Sequence, residues 1–300
     1  MSSKASRKSV TLIAGPTASG KSALATRMAA ERGGIVVNAD SMQVYRELRI
    51  LTARPTEAEE AAVPHRLYGF RPAAEAYSVA EWLKDLAPLV AAARDGGPPL
   101  VIVGGTGFYF KALLEGLSPV PDIPGEIRSR WRAEAAATDS AELHATLRER
   151  DPAAAARVVP TDPQRIVRAL EVLEATGRSL MDWQQVQGEA LLSEAEAELL
   201  FVSPPRETLY ARCDARLDGM VEAGALDEVG RLAALALDPG LPVMRALGVR
   251  PLLAHMQGLL LLGAALARAK TETRRYAKRQ LTWARRNMIS WNKVNSQLME

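Results

Sequence analysis

Three observations in the sequence predict an α/β fold: a P-loop NTPase-like parallel sheet with flanking helices, plus an inserted all-helical domain. The apolar run Val10-Thr11-Leu12-Ile13-Ala14 leads into Gly15-Pro16-Thr17-Ala18-Ser19-Gly20-Lys21-Ser22, which fits G-x-x-x-x-G-K-[ST], and helix-forming Ala23-Leu24-Ala25 follows. Apolar runs at Ile35-Val36-Val37-Asn38-Ala39, Leu100-Val101-Ile102-Val103 and Leu199-Leu200-Phe201-Val202 read as further buried strands. From Glu126 to about Glu198 the pattern is nearly all helical, with no strand-like run. The expected division is residues 1–120 as the first part of the core, 121–198 as the helical insertion, and 199–300 as the return to the core with basic C-terminal helices. The proline-rich break Ser118-Pro119-Val120-Pro121-Asp122-Ile123-Pro124-Gly125 sets the first boundary.

The glycine-rich loop is a phosphate cradle. Gly15 and Gly20 let the backbone turn so that N–H groups point at one phosphate, where the helix N-terminus adds a favourable partial charge. Lys21 supplies an ammonium for phosphate oxygens, and the Ser22 hydroxyl can hold Mg²⁺. Asp40 ends the second strand, where open α/β sheets place ligands; it can position Mg²⁺, accept a proton, or cap the following turn. The strand at Leu100 ends on Gly104-Gly105-Thr106-Gly107, where many P-loop nucleotidases carry a metal-holding Asp. Glycine there disfavours a standard ATPase engine. Thr106 can offer a hydroxyl, and its glycine neighbours leave room for a substrate against the backbone.

His65, in Pro64-His65-Arg66-Leu67, reads as a structural histidine beside an edge strand. Ser78 caps a helix running to about Arg94. In the insertion, Asp162 is an N-cap, Pro163 the first helical residue and Gly177 the stop, with Ile166, Leu170 and Leu173 as the buried stripe. Gln164, Arg165 and Arg168 lie on another face. Arg212 and Arg216 fall four apart on a later helix; they either clamp phosphate oxygens or pair with Asp214 and Asp218.

Net charge is only +3, with 48% hydrophobic and 24% charged residues, so a nucleic acid would have to meet a local patch. The C-terminal helix supplies one: Arg268, Lys270, Arg274, Arg275, Lys278, Arg279, Arg285 and Arg286, eight basic residues against the single acid Glu272. The lone Cys213 excludes an internal disulfide and suits a reducing compartment. The first nine residues are polar and basic without an apolar core, and no stretch reaches the roughly 18 apolar residues of a membrane span. A soluble cytoplasmic monomer with no membrane partner is expected.

Six segments, taken together and in order, resemble the bacterial tRNA dimethylallyltransferases, also called tRNA isopentenyltransferases. They are the loop at Gly15–Ser22, Asp40-Ser41-Met42-Gln43-Val44-Tyr45, Pro64–Leu67, Gly104–Gly107, Pro163–Val172 and Lys278-Arg279-Gln280-Leu281-Thr282-Trp283, within about residues 10 to 290. The resemblance implies transfer of a dimethylallyl group from dimethylallyl diphosphate to N6 of adenine 37, beside the anticodon of tRNAs reading codons that begin with U. By the same resemblance, Gly15, Pro16, Thr17, Ala18, Ser19, Gly20, Lys21 and Ser22 hold the donor's diphosphate instead of ATP, and Ser22 helps hold Mg²⁺. Asp40 is the general base, Thr106 touches substrate near the reaction centre, and an arginine of the pair Arg212 and Arg216, with Arg216 preferred, grips the diphosphate. The implied contacts to the tRNA anticodon stem-loop are Ser41, Met42, Gln43, Arg128, Gln164, Arg165, Arg168, Arg245, Gly248, Arg250, Lys278, Arg279, Gln280, Thr282, Trp283 and Arg285. One departure stands out: Ile50-Leu51-Thr52-Ala53-Arg54-Pro55 has leucine and arginine where the family pattern has glycine and lysine. The rival reading is a P-loop small-molecule kinase, which accounts for residues 10–107 but leaves the basic helix unused.

Overall fold

A computed structural model describes residues 8–294; the polar, basic start at 1–7 and the last six residues lie outside it. The strands are β1 (Val10–Ala14), β2 (Ile35–Asn38), β3 (His65–Arg66), β4 (Leu100–Gly104), β5 (Ala197–Val202) and β6 (Asn292–Val294). They form one sheet in the order β3-β2-β4-β1-β5-β6, every pairing parallel. Strands covered on both faces need continuous apolar runs, and every residue of β1 and β4 is buried.

The intervening helices are α1 (Lys21–Arg32), α2 (Glu57–Ala62), α3 (Val79–Arg94) and α4 (Gly107–Glu115). After β5 come α10 (Arg206–Glu222), α11 (Ala225–Ala234), α12 (Val249–Met256) and the long α13 (Leu262–Asn287). Their limits follow the expected signals. Ser78 and Glu81 make a reciprocal capping box at the start of α3, and Gly33 closes α1 at φ 60°. His65 is structural: its Nδ1 lies 2.7 Å from the Val63 carbonyl and its ring packs edge-on against Tyr68.

The chain divides into two compact units, one comprising residues 1–114 with 191–300, the other Glu115–Ala190. The second holds α5 (Gly125–Ala137), α6 (Ser140–Arg150), α7 (Pro152–Ala155), α8 (Pro163–Thr176) and α9 (Leu180–Trp183) around its own core of Trp131, Leu143, Leu147, Ile166 and Leu170. The sequence limits of 121–198 need correction. No α-helix lies between Gln184 and Glu196, the Leu192 N–H already bonds the Leu113 carbonyl in the first unit, and β5 begins at Ala197. Asp162 caps α8 through the Arg165 N–H and Gly177 ends it at φ 67°, as expected. The buried stripe, however, runs through Ile166, Ala169, Leu170 and Val172, and Leu173 is only half-buried.

Candidate functional site

Three strand ends meet at the C-terminal edge of the sheet: the loop after β1, Asp40 after β2, and Gly105-Thr106 after β4. β1 lies between β4 and β5, where the strand order reverses, and open parallel sheets bind ligands at such a point. The loop hugs the end of β5: a Cβ on Gly15 would collide with the Val202 carbonyl and the Ser19 hydroxyl. Gly20 at φ 91° and Ala18 at φ 61° supply the left-handed turns, and Ser19 N–H closes the loop on the Pro16 carbonyl at 3.2 Å. α1 carries no acidic residue in its first turn, so its N-terminal partial charge stays open to an anion. Ser19 Oγ is buried without a protein partner, an acceptor and donor left over for a ligand.

Lys21 Nζ donates to the Pro16 carbonyl at 3.2 Å. Burial pulls its pKa from 10.5 down to about 8; the Asp40 carboxylate opposes that shift and the Arg216 guanidinium adds to it. Arg216 itself has its pKa lowered by desolvation, although part of its side chain still reaches solvent. Of the acids that one reading sets beside the arginine pair, Asp214 binds Arg274 and Asp218 binds Lys270, both on α13. Cys213, between the arginines, is buried with its thiol pKa raised by burial, which makes it a packing residue.

Asp40 is fixed by a residue that the sequence reading missed. Asn38 is fully buried; its Oδ1 accepts the Asp40 N–H at 2.8 Å, and its Nδ2 donates to the carbonyls of Asp40 and Leu67 at 2.9 and 3.0 Å. Trp82, 0% exposed, donates Nε1–H to the Asn38 carbonyl at 2.7 Å. Asp40 Oδ1 accepts the Met42 N–H at 2.9 Å, which leaves Oδ2 on the side of Gly105. The carboxylate lies among Tyr68, Tyr109 and Tyr276. Burial first, and the Asp40 charge second, push all three phenols upward, so they stay neutral hydrogen-bonding walls.

Thr106 Oγ1 accepts the Ser41 N–H at 3.1 Å, joining the ends of β4 and β2. Its glycine neighbours also serve the packing around them. A Cβ on Gly104 would strike the Ala39 carbonyl, one on Gly105 the Gln280 amide, and one on Gly107 the Trp283 ring. They give room to the sheet and to α13, and Gly105 and Gly107 also border the cavity beside Thr106. A cavity of about 250 Å³ opens beside Gly15 and Thr106, walled by Phe108, Phe201, Trp283 and Met288.

The residues expected at RNA separate into groups. Lys278, Arg279, Thr282 and Arg285 are exposed on α13, and Lys278, Arg279 and Thr282 border a broad cationic groove of about 540 Å³ with Arg275 and Arg286. Trp283 is half-buried between that groove and the apolar cavity. Gln280 points inward, and the Gln43 amide is turned onto the Thr52 and Ala53 carbonyls. Ser41 and Met42 flank Asp40, half-buried. Arg250 is exposed on α12, and Arg245, also exposed, donates to the Gly240 carbonyl. Gly248 is buried at φ 89°, opening α12 against Leu51 in a left-handed conformation that glycine takes without strain. In the helical unit Gln164 and Arg165 are exposed on α8, Arg168 pairs with buried Glu171 at 3.7 Å, and Arg128 is half-buried on α5.

The departing segment at Ile50–Pro55 is held from the other side. Glu228, 3% exposed, accepts the N–H groups of Arg49, Ile50 and Leu51 at 2.6, 2.8 and 2.9 Å. Arg54 donates to the Tyr45 and Arg46 carbonyls, and Leu51 joins the core.

Among the described residues no three His, Cys, Asp or Glu side chains gather as a metal cage. The donors near the loop are oxygens: the exposed Ser22 hydroxyl at the start of α1 and any phosphate seated above it. That set suits a hard, largely hydrated cation completed by substrate, the usual manner of Mg²⁺. No helix among the described residues is long and apolar enough to cross a membrane.

The sequence model of the family described as IPP transferase matches residues 43–287. A tRNA dimethylallyltransferase of Parvibaculum lavamentivorans is 51% identical over 289 residues, 96% of this chain and 91% of that protein. Another, from Rhodospirillum centenum, is 55% identical over 282 residues, 94% of this chain and 90% of that one. Among solved structures, the full-length tRNA isopentenylpyrophosphate transferase of Bacillus halodurans is similar at 32% identity and a TM-score of 0.67, covering 95% of this chain and 89% of its own. A eukaryotic dimethylallyltransferase acting on tRNA is similar at 26% identity and a TM-score of 0.80, covering 96% and 73%.

Proposed function

Since the chain belongs to the tRNA dimethylallyltransferases, the IPP transferase family, we propose that it transfers a dimethylallyl group from dimethylallyl diphosphate to N6 of adenine 37 in tRNAs reading codons that begin with U. The observation that carries the site reading is the convergence of Asp40, Lys21 and Arg216 at one sheet edge, where the Asp40 and Arg216 charges both act on the Lys21 ammonium. A base thus stands beside a cationic cradle, with no strand-end carboxylate after β4.

The reaction is a displacement at the allylic carbon. N6 of the adenine attacks C1 of the donor, the C1–O bond breaks, and its electron pair leaves with diphosphate. Asp40 Oδ2 receives the N6 proton as the C–N bond forms. Lys21, the P-loop N–H groups and Arg216, with Arg212 beside it, stabilise the charge growing on the departing oxygens. Thr106 holds the Ser41 backbone and lines the cavity in which the apolar group is seated. Ser22 would hold Mg²⁺ together with the diphosphate, and the cation when bound would neutralise phosphate charge.

The adenine must leave its stack to reach this edge, a cost of a few kcal/mol that contacts to the tRNA backbone offset. The cationic faces of α13 and α8, with Arg128 and Arg250, are suited to those contacts. The enzyme acts as a monomer on the cytoplasmic tRNA pool. The kinase alternative leaves the groove along α13 without a use.

Incubation with labelled dimethylallyl diphosphate and unmodified tRNA tests this reading. Label should enter tRNA with no need for ATP; ATP consumption without incorporation would overturn it.

A further inference from the structure

Gln280 is the one residue of the basic stretch whose side chain reaches the P-loop backbone among the described hydrogen bonds. Its Oε1 accepts the Thr17 N–H at 2.9 Å, and its Nε2 donates to the Gly105 carbonyl at 2.8 Å. A backbone N–H only donates and a carbonyl only accepts, so these two partners fix which way the amide points. One partner lies in the phosphate loop, and the other immediately precedes Thr106. The turns on either side of Gln280 add to the same seat. Tyr276, four residues before it, lies beside the Thr106 and Gln280 side chains on the wall of the same cavity, and Trp283, three after it, closes over Gly107. Lys278, Arg279 and Thr282 on the same helix turn outward to solvent.

We propose that Gln280 is a positioning residue for the donor: its amide locks the Thr17 segment of the diphosphate cradle to the Gly105-Thr106 loop, from the inner face of the helix whose outer face meets tRNA. The inference rests on the reading that the loop takes a prenyl diphosphate, and it moves Gln280 from RNA contact to donor site. Without the amide, the Thr17 N–H and the Gly105 carbonyl lose their shared partner, and the loop is free to shift against Thr106. A misplaced cradle weakens donor binding while leaving the exposed cations in place.

Two variants separate the parts of this tie. Gln280→Met keeps the length and removes both bonds. Gln280→Glu keeps an acceptor for Thr17, removes the donor to Gly105, and adds negative charge near the anion site. For Gln280→Met the expected results are a donor KM and a Kd for inorganic diphosphate raised about tenfold, from the cost of unpaired polar groups. The tRNA Kd and its salt slope should stay within twofold of wild type, and kcat within threefold. Gln280→Glu should weaken diphosphate binding further. Hydrogen exchange at the Thr17 amide should quicken in both free variants relative to wild type, most in Gln280→Met. A fall in tRNA affinity with donor binding intact would return Gln280 to the RNA interface. Unchanged diphosphate binding and unchanged Thr17 exchange would reduce it to packing; either result overturns the proposal. If wild type transfers no dimethylallyl group, the activity reading fails, while diphosphate binding and Thr17 exchange still decide the role of Gln280.

Discussion

The two faces of α13 are built from different materials. The outer face carries Arg275, Lys278, Arg279, Arg285 and Arg286, all exposed and bordering or flanking one open groove. The inner face carries Tyr276, Gln280 and Trp283, spaced four and three apart and packed on the loops that hold Thr17, Thr106 and Gly107. The outer cations act through long-range charge and tolerate displacement. The inner groups act through short contacts that fail when a partner moves by an ångström. Substitutions on the outer face should therefore grade binding, whereas those on the inner side should change chemistry or donor affinity abruptly.

Asp40→Asn gives the largest expected effect. The amide keeps the shape and an acceptor for the Met42 N–H but takes no proton, so kcat should fall about 10²- to 10⁴-fold with tRNA Kd nearly unchanged. Single-turnover rates beside a tRNA-binding titration measure both. A parallel loss of binding would erase the distinction between the inner site and the outer face.

Lys21 gives a pH dependence. Its ordinary pKa of 10.5 is depressed to about 8, chiefly by burial, and only the protonated form attracts diphosphate. Donor kcat/KM should hold below pH 8 and fall about tenfold per unit as pH rises above it. Bound diphosphate favours the ammonium, so kcat should stay flat over the same range. Lys21→Arg, charged at any of these pH values, should remove the decline even if its rate is lower. A decline that persists in Lys21→Arg would assign the titration to another group.

Gly107→Ala sharpens the inner contact. Its Cβ would meet the Trp283 ring, which is too large to turn aside cheaply, so thermal unfolding should show a loss of about 1–3 kcal/mol. Lys278→Ala has the smallest effect: tRNA affinity falls a few-fold and the slope of log K against log salt shrinks by about one. Retention of the full slope would remove Lys278 from the interface.

Local signals made the cradle legible in the sequence. The run from Val10 to Ser22 specifies strand, turn and helix within adjacent residues, and the edge position of Asp40 follows from the strand before it. The cations of α13 were equally plain. Its inner face was not, because the helix buries Ala265, Ala269, Ala277 and Ala284, which leave no broad apolar stripe to mark the side that packs. The roles of Gln280 and Asn38 depend on backbone groups far away in sequence, which no periodicity records. The close approach of the Ala39 carbonyl to Gly104, and of α13 to Gly105 and Gly107, was not legible because those partners lie far away in sequence. β6 has three residues, too few for a pattern. The far boundary of the helical unit was misplaced because alanine-rich residues before β5 look helical by composition alone.

The most direct test is mass spectrometry of nucleosides from unmodified tRNA incubated with the enzyme and dimethylallyl diphosphate. The account predicts one dimethylallyl group on the adenosine at position 37 with wild type, and none over the same time with Asp40→Asn. Unmodified adenosine with wild type, or full modification with Asp40→Asn, would contradict it.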